Sequence, residues 1–148
     1  MNKIFTLLIL LLNTILFSQN NSDLFKLELN ISNIQSEGNL MIAVWSDPDS
    51  WNNNIKDSSG KTVGFDYGFE EKVQKGKFST IINLPEGTYF ISILLDENFN
   101  NILDKNFIGF PSEQYGFSSK KQIRFRKPKF DEGSIEFFKN TILNIELQ

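Results

Sequence analysis

The sequence contains no cysteine and no histidine. Without cysteine there is no disulfide, no thiolate metal ligand, no sulfur nucleophile and no thiol for lipid attachment. Without histidine the commonest general base, the usual catalytic zinc ligand sets and the Ser–His–Asp triad are all excluded. Beyond residue 17 no apolar run is long enough to cross a 30 Å hydrocarbon core. A long amphipathic helix and an internal repeat are absent as well. Net positive charge is also lacking: the formal value is −3, and nothing global points to nucleic acid.

What is present is a chain of 148 residues with 15 Phe. That length fits one domain with a self-sufficient core. The first residues have the three parts of a secretory signal. Lys3 supplies the positive end, and residues 4–17 form an apolar run interrupted by Asn13 and Thr14. Ser18 is small enough for the last leader position, so cleavage is expected before Gln19. Loss of Lys3 takes the charge from −3 to −4. The expectation is a leader over residues 1–18 and a single domain over residues 19–148. It is secreted or held in the periplasm and cell envelope, with no stable membrane insertion after cleavage. Export without cysteine leaves packing, or a bound ion, as the source of stability.

Residues 24–34 alternate. Phe25, Leu27, Leu29 and Ile31 share one face, and Lys26, Glu28, Asn30 and Ser32 the other, as in a half-buried strand. Residues 40–45 are nearly continuously apolar and predict a strand covered on both faces. Residues 46–64 break the pattern with Asp47-Pro48-Asp49 and Asn52-Asn53-Asn54, which is loop chemistry, with Trp51 as an anchor on the core. Residues 65–74 read as a strand or irregular edge. Residues 77–84 predict a strand, Pro85-Glu86-Gly87 a tight turn, and residues 88–95 a buried strand. There Tyr89, Ile91, Ile93 and Leu95 oppose Phe90 and Leu94. Further strands are expected at residues 120–126, 134–138 and 141–147. Seven or eight short strands separated by turns predict an all-β sandwich.

The segment from Asp96 to Asp104 carries the sharpest chemical pattern. Ca²⁺ takes six to eight oxygens at about 2.3–2.6 Å, and a short curled loop can aim alternate side chains at one point. Asp96, Asn98, Asn100 and Asp104 fall at positions 1, 3, 5 and 9 of such a loop, with the Ile102 carbonyl at position 7. Position 6, normally Gly, is Asn101, the non-Gly residue most tolerant of a left-handed backbone. Position 12, normally a bidentate Glu, is Phe107; Glu113 is a candidate to complete the set from outside. Two carboxylates and no bidentate ligand predict a weak site, with a dissociation constant on the order of 10⁻⁴–10⁻³ M. The competing reading is an Asx-rich loop whose side chains cap their own backbone.

Three blocks occur in order: Leu84-Pro85-Glu86-Gly87-Thr88-Tyr89, then Asp96-Glu97-Asn98 through Asp104, then Gly109-Phe110-Pro111-Ser112-Glu113-Gln114-Tyr115-Gly116-Phe117-Ser118. Together they resemble the DUF2141 family of exported bacterial proteins, over roughly residues 24–147. The departure is Asn101, where the family usually has Gly. The resemblance implies a secreted or periplasmic sandwich, Ig-like or prealbumin-like (transthyretin-like), and no established activity. It also implies that the acidic loop and residues 109–118 act as one unit.

Two further features bear on function. Phe107, Phe110, Tyr115 and Phe117 either staple the long loop to the sandwich or form a stacking platform, in which Tyr115 and Phe117 contact a sugar or peptide. Lys120, Lys121, Arg124, Arg126, Lys127 and Lys129 form a basic run that guards a strand edge or meets an anionic surface. The first expectation is therefore a non-enzymatic binding or structural module of the envelope, with a structural Ca²⁺ and an unidentified envelope ligand or protein as partner. The second is a glycan- or peptide-binding module. The third is a metal-dependent hydrolase using Asp96, Asp104 and Glu113. Carboxylates that cleave glycosides stand about 5 Å or about 6.5–9.5 Å apart, which spacing in sequence cannot measure.

Overall fold

The computed structural model describes residues 23–148 except 54, 120–122, 124 and 125. The expected leader lies outside the described residues, as do Lys120, Lys121 and Arg124 of the expected strand at 120–126. Ile123 and Arg126, which are described, are not in a strand.

Two sheets form a sandwich. The smaller has the order β4-β1-β8, from Gly76–Pro85 (β4), Leu24–Ile34 (β1) and Thr141–Glu146 (β8). β1 lies between an antiparallel neighbour, β4, and a parallel one, β8. The larger sheet runs β3-β2-β5-β6, from Tyr67–Val73 (β3), Gly38–Trp45 (β2), Gly87–Asp96 (β5) and Tyr115–Phe117 (β6). Ile135–Phe137 (β7) also pairs with β5. The main core lies between the sheets. Leu27, Leu29, Ile31, Leu40, Ile42, Val44, Tyr89, Ile91, Ile93 and Leu95 are all buried there, with Ile145 and Leu147. These are the residues that period-two alternation assigns to one face of each strand. Each such side chain contributes about 1.5–3 kcal/mol.

The larger sheet also buries part of its other face. Trp45 and Phe90, one step out of phase with the core residues of β2 and β5, form a second cluster with Trp51 and Phe130. Trp51 stacks on Phe90 at 4.1 Å between ring centroids and meets Trp45 edge-on at 5.3 Å. It thus anchors its loop as expected. Two short helices deliver these rings: α1, Pro48–Asn53, and α2, Phe130–Gly133. The Asp47 carboxylate accepts from the backbone N–H groups of Asp49 (3.2 Å) and Ser50 (3.0 Å), and Pro48 needs no hydrogen bond at the first helical position. The Asp-Pro-Asp sequence expected to be loop is therefore a helix start. Six residues are too few for a helical period to show.

The ambiguous residues 65–74 contain β3, an edge strand exposed everywhere but Val73. β6 was not anticipated, because three residues carry no readable alternation. The closing residues tie the sheets together. Leu147 N–H donates to Ser32 O at 3.0 Å, and Gln148 and Tyr115 exchange backbone bonds of 3.0 and 3.3 Å.

Candidate functional site

The acidic loop after β5 is organised by its own carboxylates. Asp96 is fully buried. Its two oxygens accept from Asn100 N–H at 3.2 Å and Asn101 N–H at 2.7 Å. Asn98 Oδ1 accepts from Asn100 N–H and Asn100 Oδ1 from Ile102 N–H, which are Asx turns. The side-chain amides of Asn98 and Asn100 both donate to Asp104, at 2.5 and 3.2 Å. Asn98, Asn100 and Asp104 thus converge, while Asp96 holds the backbone from below. Asn101 has φ 62°, the left-handed conformation for which position 6 normally takes Gly. Glu113 does return to this loop: its carboxylate accepts from Glu97 N–H (3.0 Å) and Asp104 N–H (2.9 Å). Among the described residues no group of three or more acidic side chains is gathered as a metal site.

The segment after the loop is built for packing. Gln114 bonds Asn33 O at 2.9 Å and Gln35 N–H at 2.7 Å, lacing the β1–β2 turn to the loop. Gly116 sits where a Cβ would lie 2.7 Å from Ile145 Cγ2, so only glycine lets β6 approach β8. Ser118 Oγ accepts from Ile91 N–H (2.9 Å) and donates to Gly133 O (2.6 Å). The four aromatics divide. Phe117 joins the second cluster, and Tyr115 rests on Phe117 at 5.5 Å. Phe107 stands at the tip of a hairpin capped by Asn106 and is 98 % exposed, so it staples nothing.

Above the outer face of the larger sheet lies a cavity of about 870 Å³. That is within the range of about 300–1,000 Å³ usual for small-molecule sites. Met41 and Ala43 of β2, Ser92 and Leu94 of β5, and Tyr115 and Phe117 of β6 floor it. Trp45 Nε1 donates to Ser92 Oγ at 3.0 Å and so keeps its polar atom satisfied at the cavity edge. The loop after α1 supplies Lys56, Lys61 and Phe65 as walls; the acidic loop supplies Asn101, Leu103 and Lys105. Ile108 and Phe110 follow from the hairpin, and Arg126 and Lys127 from the segment before α2.

A family profile described as an uncharacterized protein conserved in bacteria matches residues 29–145, which reaches from within β1 into β8 and includes every wall of this cavity. The chain belongs to the DUF2141 family. Comparison with curated proteins gives no match, and neither does comparison with solved structures.

In this DUF2141 chain the cavity is apolar at its floor and cationic at its walls. Lys61 reaches Glu70 at 3.8 Å, and Arg126 is held by Glu132 in a two-pronged pair at 2.5 and 2.7 Å. That pair pulls the Glu132 carboxyl down to about 2. Burial, with Lys56 nearby, pushes the Lys127 ammonium down to about 8. Lys127 donates to Trp51 O and lies 3.8 Å above the Trp51 ring. Burial, then Lys105, lowers Lys56 as well, with Asp57 opposing.

Of the sequence candidates, the fold brings Asp96, Asn98, Asn100, Asp104 and Glu113 into one bonded loop. It brings Tyr115 and Phe117 to the cavity floor. Sequence reasoning missed the cavity and Lys56, Lys61 and Lys105. One signal pointed to it: β2 and β5 are apolar on both faces, yet one sheet can cover only one face.

Proposed function

We propose that this protein is a non-enzymatic binding module, exported to the cell envelope, that takes a small molecule into the cavity over its larger sheet. The observation that carries this is the cavity of about 870 Å³, with a sheet for a floor and loops for walls. Tyr115 and Phe117 serve as stacking surface within it, not as an exposed platform. The hydrolase reading has less support. Asp96 and Glu113 are buried and their oxygens are engaged by backbone N–H groups, which suits loop-holding better than proton transfer. The test is saturable binding of an uncharged apolar dye such as Nile red to protein beginning at Gln19. One-to-one binding, with energy transfer from the tryptophans, is expected; no saturable binding would remove this reading.

A structural Ca²⁺ in the acidic loop is the second reading, favoured by the convergence of Asn98, Asn100 and Asp104. A carboxylate oxygen has more than one lone-pair site, so its hydrogen bonds leave room for coordination. The ion would act by linkage, adding about 2.7 kcal/mol at 100 times its dissociation constant. Thermal unfolding in chelator, millimolar Ca²⁺ and millimolar Mg²⁺ tests it. A rise with Ca²⁺ alone, lost in Asp96→Ala and Asp104→Ala, is expected; identical curves would leave a loop held by Asx turns.

A further inference from the structure

We infer that the ligand class of this cavity is a single-chain amphiphile with one anionic head, its chain on the sheet and its head among Lys56, Lys105 and Lys127. This rests on the cavity being a binding site and adds the chemistry of its occupant. The floor is mainly apolar, with methyl, thioether and aromatic groups from Met41, Ala43, Leu94 and Phe117, and the hydroxyl of Ser92 already accepts from Trp45. Three elements separate in sequence each bring a lysine to the same cavity: the loop after α1, the acidic loop and the segment before α2. Two other cations at the wall, Lys61 and Arg126, are already paired with Glu70 and Glu132. Among the described residues Lys56, Lys105 and Lys127 have no ion pair.

Burial beside the cavity disfavours the charged form of Lys56 and of Lys127, and a neighbouring lysine adds to it in each case. Lys105 acts on Lys56, and Lys56 acts on Lys127, each favouring the uncharged form of its neighbour. Asp57 offsets this only at Lys56. Like charges gathered beside an apolar cavity are costly to the empty protein. An anion placed among them removes that repulsion, so the same arrangement favours an acidic head over a neutral or cationic one. The apolar rim agrees. Ile108 is 65 % exposed at the hairpin bordering the cavity, where a chain entering it would lie.

Both tryptophans of the chain, Trp45 and Trp51, line this cavity. Their fluorescence therefore reports its occupancy without a label. Protein beginning at Gln19 is titrated, below micelle concentration, with dodecanoate, dodecyl phosphate, dodecanol and dodecyltrimethylammonium, and with inorganic phosphate alone. Dodecanoate and dodecyl phosphate are expected to bind at least tenfold tighter than the alcohol and the cation, with inorganic phosphate giving no signal. Lys105→Gln, on an exposed loop, and Lys127→Gln should each cut the preference for an anionic over a neutral head several-fold, and an unchanged preference in both would overturn the head site. Equal binding of all four heads would overturn the anionic class and leave the cavity reading standing. Binding of inorganic phosphate as tight as that of dodecyl phosphate would overturn the amphiphile. No binding of any chain, together with no binding of Nile red, would overturn both.

Discussion

Ser118→Ala tests whether the last block of the family pattern is structural. The Ser118 backbone N–H donates to Ile91 O at 2.9 Å, and the Ile91 N–H donates back to the Ser118 hydroxyl at 2.9 Å. β6 ends at Phe117, so a side chain continues the ladder where the backbone stops. The same hydroxyl donates to Gly133 O at 2.6 Å and ties down the helix that carries Phe130. Ile91 is fully buried and Ser118 is 5 % exposed, so water cannot replace the lost oxygen without opening the sheet. Each buried group left without a partner costs about 1–3 kcal/mol. With two such groups and some relaxation, a loss of about 2–4 kcal/mol is expected. At about 4 °C per kcal/mol for a domain of this size, Tm falls by about 8–16 °C. Urea unfolding should show the loss at unchanged m, and hydrogen exchange should show the Ile91 amide deprotected. A Tm within about 2 °C of the parent, with Ile91 still protected, would refute the reasoning.

Gly116→Ala should cost about 1–3 kcal/mol by overpacking, since its Cβ would stand 2.7 Å from Ile145 Cγ2 and 3.0 Å from Leu147 Cδ2. Urea unfolding measures it, and the double variant with Ile145→Ala should cost less than the sum of the singles. Asp96→Asn keeps one acceptor oxygen and puts an amide N–H₂ against the N–H of either Asn100 or Asn101, so a loss of about 1–3 kcal/mol and faster exchange across residues 97–104 are expected. Lys127 is held down to about 8 by burial and Lys56. Between about 8 and its ordinary value of 10.5 the unfolded chain binds more protons than the folded one, so its contribution to stability grows with pH there and disappears as pH falls through about 8. Parent minus Lys127→Met stability, measured by urea unfolding from pH 7 to 10, should rise across that window; a flat difference would count against it.

Where one physical signal dominates, the sequence was readable. Alternation located β1, β4, β5 and β8, and continuity of apolar residues marked β2 as covered on both faces. The chain does bend at Glu86, between β4 and β5, but Gly87 does not take the positive φ that the turn preference assigned to it, because the bend passes the chain from one sheet to the other and closes no hairpin. β6 was invisible because it has three residues and its role is set by distant partners: Ile91, Gly133 and the β8 segment. The same limit applied to the site. The spacing of Asp96, Asn98, Asn100 and Asp104 correctly marked a curled loop, since Asx side chains act locally. Glu113 returning to Glu97 and Asp104 is a tertiary event that spacing left open. Lys56 and Lys105 looked like ordinary surface charges, because their meeting at one cavity depends on how two loops fold over a sheet.

The two faces of the larger sheet explain why a site sits where it does. The inner face meets another sheet and is filled completely by alternating large apolar groups. The outer face must be covered by whatever the loops can supply, since Phe90, Trp45 and Leu94 cannot be left to water. At the α1 and α2 end the loops carry Trp51 and Phe130, and the cover is closed. Toward the acidic loop they carry Leu103, Lys105 and Phe110, and the cover stands off, leaving the cavity. Filling that space with two or three larger side chains would have stabilised the fold. Instead the walls hold Lys56 and Lys127, whose charged forms burial and a neighbouring lysine disfavour, a cost that the proposed anionic amphiphile would offset. Dodecanoate should therefore raise Tm of the parent, and raise it less in Lys127→Gln even though that variant begins with one fewer repelling charge. If the two proteins gain equally at saturating dodecanoate, the lysines serve solubility and the cavity owes nothing to their charge.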